Sequence, residues 1–373
     1  MSNQSLEREI CSKCVMDISD PEISFDEDGV CNHCHHAEES LNRIQLTKTE
    51  SQQKINQLVD QIRRGSANRR YDVVVGMSGG VDSSYVALLA HKLGLRVLAV
   101  HFDNGWNAEV AVKNIKTLVQ SFGFDLETYV INWPEFKDLQ RSFIRAGVVD
   151  IEMLSDHAIM ASMFDLAKRH NVRYVLSGTN IATEHGMPRS WVWNKNDLTN
   201  IEDIHRRYGE IKLNSFPRMG LLKSVVRRKL QMGFEFIEIL DLVNFRKDAA
   251  IKVLSDKTGW TYYGGKHYES IFTKFYQAYI LPEKFGIDKR KVHLSALIRN
   301  LEITRSQALL ELEQPLYRAE DLRRDRAYVL KKLNISQTEF DEIMSAEPVP
   351  HSNYRTDQHV RHFLKSTLGK LGL

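Results

Sequence analysis

The chain has 373 residues, 42% hydrophobic and 27% charged, which is enough apolar material for a packed core in two or three domains and too polar for a membrane or low-complexity protein. Its 51 basic residues nearly balance 48 acidic ones, leaving a net charge of +3, so the strong basic bias needed for wrapping nucleic acid is missing. A polar N-terminus without a secretory signal, and no apolar run of membrane-spanning length, predict a soluble cytoplasmic protein.

All four cysteines fall in the first 34 residues. CSKC (11–14) and CNHC (31–34) place Cys11, Cys14, Cys31 and Cys34 in a C-x2-C-x16-C-x2-C pattern. Two such knuckles supply four thiolates, the donor set of a closed tetrahedral zinc site with no open position for a substrate. An iron–sulfur cluster is the other reading of the same ligands, and His33, His35 or His36 could replace a thiolate. FDEDGVC (25–31) reads as the turn of a small ribbon, so residues 1–37 are expected to form a zinc ribbon.

Residues 38–65 carry Leu41, Ile44, Ile55, Leu58, Val59 and Ile62 at roughly helical spacing, which predicts an exposed linking helix closed by Gly65. From Tyr71 short apolar runs alternate with helical stretches. YDVVVG (71–76), RVLAVHFDNG (96–105), LETYVIN (126–132) and VRYVLSGTN (172–180) read as strands. Helices are predicted at 83–94, 109–123 and about 155–170, the first two ending at glycine. This alternation predicts an α/β domain over 66–210 built on a doubly wound parallel sheet, with ligands at the carboxyl ends of the strands. Residues 211–373 are expected to be mostly helical. Capping pairs stand at Thr304 with Gln307 and Ser336 with Glu339, followed by a loop and a last helix at 359–371.

GMSGGVDSS (76–84) follows the first strand and opens a helix. Backbone N–H groups there would face an anion, the hydroxyls of Ser78, Ser83 and Ser84 add donors, and Asp82 can hold a divalent cation beside phosphate oxygens. No lysine follows Gly80, so the Walker pattern is not met, and neither is the dinucleotide G-x-G-x-x-G. SGGVDSS, in this setting, resembles the PP-loop of the ATP-pyrophosphatase superfamily, which includes GMP synthetase, NAD synthetase, asparagine synthetase and the tRNA thiolases. The resemblance implies that Ser78, Gly79, Gly80, Val81, Asp82, Ser83 and Ser84 bind ATP and its departing pyrophosphate. Asp103, in AVHFDNG, falls about where a ribose-binding acid would stand. GTNIATE (178–184) resembles a segment of NAD synthetase that would bring Gly178 and Thr179 to the nucleotide and Glu184, with Asp82, to magnesium. Glu184 can equally be a first-turn acid interacting with a helix dipole.

CSKCVMD, the PP-loop and YYGGKHYESIFTKFYQAYILPEKFGIDKRKVHLSALI (262–298) together resemble the N-acetyl sugar amidotransferase family of surface polysaccharide and nonulosonic acid biosynthesis, including lipopolysaccharide O-antigen. That resemblance covers nearly the whole chain. It implies conversion of an acetamido group of a nucleotide-activated sugar to an acetamidino group, using ATP, Mg2+ and a structural Zn2+. Ammonia would come from a glutaminase subunit, with a channel-forming cyclase-like subunit a further candidate partner; neither membrane nor nucleic acid is expected. Lys266 and His267 become the candidate catalytic residues, one steadying charge and one accepting a proton, and Lys266, Glu269 and Lys274 the candidate substrate-binding residues. Each lysine could equally be a solvated loop residue. KSVVRRK (223–229) could meet a diphosphate or be a solvated helix face. A zinc-ribbon tRNA thiolase is the alternative, and the lack of any cysteine after Cys34 counts against it.

Overall fold

The computed structural model describes residues 9–221, 235–263 and 269–370; KSVVRRK (223–229), Lys266 and His267 lie outside the described residues. Its first helices are α1 (Asn32–Ile44) and α2 (Lys48–Gly65), so the single linking helix expected over 38–65 is instead two. The break falls where Thr47 and Glu50 form a reciprocal capping box that starts a new helix. α2 is not merely a link, because Ile55, Val59 and Ile62 are buried against the sheet core.

The alternating region then gives β1 (Val73–Gly76), α3 (Val81–Lys92), β2 (Val97–Asp103), α4 (Glu109–Phe122) and β3 (Asp125–Val130). It continues with α5 (Trp133–Ala146), α6 (Met153–Arg169), β4 (Tyr174–Ser177), α7 (Ile181–Glu184) and α8 (Leu198–Tyr208). β5 (Glu235–Glu238) pairs parallel to β4, so the sheet order is β3-β2-β1-β4-β5 with every pairing parallel. The sheet therefore does not stop at the boundary of 210 expected from the sequence.

Side chains of the inner strands β1, β2 and β4 alternate between two buried faces, as the centre of a parallel sheet covered on both sides requires. Val73, Val75, Val97 and Ala99 pack with residues of α2, α3 and α4, while Val74, Leu98 and Val100 pack with Met163 and Leu166 of α6. The fold is thus an α/β, doubly wound parallel sheet.

The C-terminal part is helical. It comprises α9 (Lys247–Thr258), α10 (Ile271–Phe275), a π turn at Tyr276–Ile280, α11 (Leu281–Phe285) and α12 (Arg290–Arg299), then α13 (Arg305–Leu312), α14 (Ala319–Leu333), α15 (Gln337–Ser345) and α16 (Gln358–Lys370). One continuous apolar cluster joins Cys11 and Met16 of the ribbon, Phe136 and Phe143 of α5, and Phe275, Val292 and Phe340 of the C-terminal helices. The ribbon is therefore packed onto the C-terminal helices. No helix among the described residues is long and apolar enough to cross a membrane.

Candidate active site and metal centre

Gly79 takes a φ of +82°, and a Cβ there would stand 2.5 Å from the Ala111 carbonyl, so the turn into α3 demands glycine. Buried Asn114 and Trp260 donate to the Gly79 carbonyl, at 3.3 and 3.1 Å, turning that negative dipole towards the protein. Gly80 is the N-cap of α3 and offers no side chain to satisfy the first-turn N–H groups. Those donors, backed by the helix dipole, fit a bound phosphate. Ser78 Oγ accepts from Gly80 N–H at 3.2 Å and lies 3.1 Å from Ser83 Oγ, so the two hydroxyls are held together at the loop mouth. A Cβ on Gly178 would stand 3.1 Å from Ser83 N, so glycine lets the end of β4 close on the loop.

A cleft of about 210 Å³ opens over this loop. Of the predicted site residues, Ser78, Gly80, Val81, Asp82, Ser83, Gly178, Glu184 and Glu269 line it together. Other predicted residues lie off its wall. Ser84 is fully buried on the core side of α3, one 100° helical step from Ser83. Asp103 ends β2 and accepts from Gly105 N–H and Asn107 Nδ2 at 2.8 and 2.9 Å. Thr179 donates its N–H to Ser177 Oγ at 3.1 Å. Lys274 pairs with Asp325 at 3.1 Å and stacks on Tyr317 among the C-terminal helices. Tyr263 and Glu269, the described residues on either side of Lys266 and His267, both line the cleft.

Sequence reasoning missed Thr183, Lys247, Tyr263, His293 and Leu297 on the same wall. Tyr263 donates to Glu269 at 3.2 Å. Burial, then the charges of Glu269 and Asp82, push its hydroxyl well above the ordinary range, so it remains a donor. Behind α7, Asp241 accepts from Ile181 N–H at 2.9 Å; burial and the nearby Glu184 raise its carboxyl. Hard carboxylate oxygens of Asp82 and Glu184 beside uncapped N–H groups suit a magnesium-bound polyphosphate. Trp191 and Trp193 serve packing: Trp191 is buried, and Trp193 stacks on His351 at 4.9 Å.

The four cysteine sulfurs lie within 4.8 Å of one another and are fully buried. The pairs Cys14–Cys31 and Cys11–Cys34 stand 3.7 and 3.9 Å apart. Zinc bonded to sulfur at about 2.3 Å sets tetrahedral edges of about 3.8 Å, so the donor set fits structural zinc. Backbone N–H groups of Lys13, Cys14 and Cys31 point at Cys11 Sγ from 3.4, 3.4 and 3.2 Å, as thiolate acceptors require. His33 and His35 do not replace a thiolate; they pair with Asp20 and Asp26 at 2.7 and 2.8 Å. Arg299 of α12 donates to both Cys34 and Cys14 Sγ at 3.4 Å. The same guanidinium reaches the His185 carbonyl at 3.5 Å, directly after Glu184.

A glycine turn after a central parallel strand, an uncapped helix start and facing carboxylates define a PP-loop domain of the ATP-pyrophosphatase class. Comparison with known proteins agrees. Residues 51–189 match the NAD synthase family, and residues 269–367 match the C-terminal domain of LPS biosynthesis protein WbpG-like proteins. Over 135 residues the chain is 34% identical to a glutamine-hydrolysing GMP synthase of Pyrobaculum aerophilum, covering 34% of this chain and 24% of that protein. Over 133 residues it is 29% identical to one subunit of the glutamine-hydrolysing GMP synthase of Archaeoglobus fulgidus, covering 34% and 38%. The chain thus spans well under half the length of these curated relatives. Among solved structures, the NH3-dependent NAD synthetase of Campylobacter jejuni matches 71% of this chain and 97% of its own at 17% identity and a TM-score of 0.31. NMN synthetase of Francisella tularensis matches 79% and 97%, at 16% identity and a TM-score of 0.34. The two family matches, on separate parts of one chain, support an amidotransferase-like PP-loop family in lipopolysaccharide biosynthesis.

Proposed function

We propose that the chain is an ATP-dependent amidotransferase that converts an acetamido group of a nucleotide-activated sugar into an acetamidino group. One observation carries the reading: the cleft lies at the junction of the two family matches. Ser78, Asp82, Ser83, Gly178 and Glu184 come from the NAD synthase-like part, and Glu269, His293 and Leu297 from the WbpG-like part. Residues from the NAD synthase-like match and from the WbpG-like match thus line one cavity, which supports this reading.

In the proposed reaction the amide oxygen attacks the α-phosphorus of ATP, the amide N–H proton leaves, and pyrophosphate departs into the Ser78–Ser83 loop. Ammonia adds to the resulting imidate carbon, and AMP leaves carrying the former amide oxygen. Such a sequence needs positioning and charge neutralisation more than a protein nucleophile. That suits a chain with no cysteine after Cys34. Magnesium, held by Asp82 and Glu184, would neutralise charge on the phosphates. Lys247 adds a cation to the wall. Lys266 and His267 are proposed for the remaining charge and proton handling, Tyr263 and Glu269 bracketing that segment. Ammonia is proposed to come from a separate glutaminase chain, as the A. fulgidus relative is one subunit of a glutamine-hydrolysing enzyme.

The test incubates the protein with ATP, magnesium, ammonium and a panel of nucleotide-linked acetamido sugars, one carrying an 18O-labelled amide. Replacement of that oxygen by NH, with the label recovered in AMP, is the expected result. AMP formed only with tRNA and a sulfur donor would overturn it in favour of the thiolase.

A further inference from the structure

GMSGGVDSS carries no lysine, so beyond its serines any side-chain donor for a phosphate comes to the loop from elsewhere in the fold. Gly80 marks where one arrives. A Cβ on Gly80 would stand 3.1 Å from the Tyr263 hydroxyl, 3.1 Å from Ser78 Oγ and 3.6 Å from Glu269 Oε1. The bare α-carbon thus lets a phenol close on the loop backbone at the start of α3. Because Ser78 and Tyr263 flank that one point, their hydroxyls lie no further apart than twice 3.1 Å. Two oxygens of a single phosphate can bridge such a span.

Tyr263 is held there by the frame that also holds the loop. Asn114 of α4 is buried, and its Nδ2 donates to the Gly79 carbonyl at 3.3 Å and to the Thr261 carbonyl at 2.9 Å. Its Oδ1 accepts from Thr261 N–H at 2.9 Å, so the whole amide is spent on joining the loop to the segment that carries Tyr263. Trp260 donates to the same Gly79 carbonyl at 3.1 Å, and its ring centre stands 6.2 Å from that of Tyr263. Glu269 is tied to the same helix, because its carbonyl accepts at 2.8 Å from the N–H of Ala108, the N-cap of α4. One helix therefore fixes the loop, Tyr263 and Glu269 relative to one another, which sets the phenol in place before any ligand arrives.

The hydroxyl donates to Glu269 at 3.2 Å, long for an O–H···O bond, so this is a partner it can exchange. Burial and the nearby carboxylates keep it protonated, and hence a donor. We propose that Tyr263 is a phosphate-binding residue of the loop, its hydroxyl exchanging Glu269 for an oxygen on the pyrophosphate side of ATP and keeping that bond as pyrophosphate departs. No proton is transferred. When the bond between the α-phosphorus and its bridging oxygen breaks, the electron pair goes to pyrophosphate, and the phenol supports the charge that grows there. A neutral donor facing an anion gives a charge-assisted bond, which suits a loop that has no cation of its own. This assignment rests on the ATP-cleaving part of the reading above and not on the sugar.

Titration calorimetry of the full chain with inorganic pyrophosphate, α,β-methylene-ATP and AMP, each with magnesium, tests it. Tyr263→Phe keeps the ring and removes the hydroxyl alone. Binding of pyrophosphate and of the ATP analogue should weaken about tenfold, while AMP stays within about twofold. Melting temperature and zinc content report that the variant is folded. Tyr262→Phe removes the neighbouring hydroxyl, which is not part of the cleft lining, and should change none of the three affinities. Pyrophosphate binding unchanged in Tyr263→Phe overturns the assignment and leaves the ATP reading standing. Equal losses for AMP and pyrophosphate would show a distorted cleft, and they overturn it as well. If wild type binds neither pyrophosphate nor the ATP analogue, the ATP reading itself falls and the assignment falls with it.

Discussion

The cysteine cluster and the PP-loop cleft were both announced by short motifs, yet they are opposite kinds of site. In the cluster every donor is turned inward, the sulfurs are fully buried, and N–H groups and Arg299 occupy their outer faces. Nothing there can admit a substrate. In the cleft the loop N–H groups lack a side-chain cap, and its walls come from β1–α3, β4–α7, α9 and α12. A closed site is specified by its ligands alone, whereas an open one is specified by whatever the fold brings round it. The two are nevertheless joined, since Arg299 touches the cluster and the backbone beside Glu184.

The largest effect should separate them cleanly. Asp82→Ala is expected to lower pyrophosphate release by on the order of 10³-fold, with zinc content and melting temperature as in wild type. Loss of zinc in that variant would mean the two sites are not separable. Next, Cys34→Ser or a strong chelator should remove the metal and cost several kcal/mol of stability, because structural zinc binding is folding free energy. Its readouts are metal analysis and thermal melting. A zinc-free protein that melts at the wild-type temperature would show the cluster to be dispensable.

A smaller effect would sharpen the link. Arg299→Lys keeps the charge but loses the fork that spans two sulfurs and the His185 carbonyl, a loss of about 1–2 kcal/mol. Zinc should be retained. KM for ATP should rise several-fold with kcat little changed, because the α7 wall carrying Glu184 is loosened. Unchanged KM would leave Arg299 as a support of the cluster alone.

How much of this was written in the sequence differs between the two sites for a physical reason. The cluster was fully legible, since four thiolates at fixed spacing allow few geometries. β1, β2 and β4 were legible because buried parallel strands read as apolar runs, whereas β3 (DLETYV), with none of its residues buried, was legible from its place in the strand–helix alternation. β5 was not: EFIE carries two acids in four residues, as an edge strand exposed on both sides of Ile237 can. α5 was overlooked although Asn132 caps it, Pro134 lies in its first turn and Gly147 ends it in the left-handed conformation. In the cleft, the loop residues followed from the motif, and even the inward turn of Ser84 follows from helical phase. Lys247 carried no motif, and Tyr263 and His293, though inside the 262–298 segment, were not singled out within it; tertiary packing brings all three to the loop. Lys274 was singled out for its nearness to GGKHYES in sequence, which gives no sign of its partner Asp325, 51 positions further along the chain.

The smallest expected effect concerns the open site's own electrostatics. Asp241 is 9% exposed, and burial together with Glu184 raises its folded-state carboxyl above the unfolded value. A raised value means the folded chain binds the proton more tightly, so this contribution to stability is complete below the unfolded value of about 3.9 and is lost as pH rises through the folded one. The ligand-free protein should therefore carry a small penalty from Asp241 at neutral pH. Asp241→Asn keeps the acceptor for Ile181 N–H and removes the charge. Melting curves should show the variant more stable than wild type at pH 7.5 and level with it at about pH 4. Magnesium with ATP should narrow the gap at pH 7.5, because a bound cation relieves the same repulsion. A variant less stable than wild type at pH 7.5 would show that the carboxylate already rests on a cation-like partner, and the contrast between a satisfied cluster and an electrostatically strained cleft would not hold.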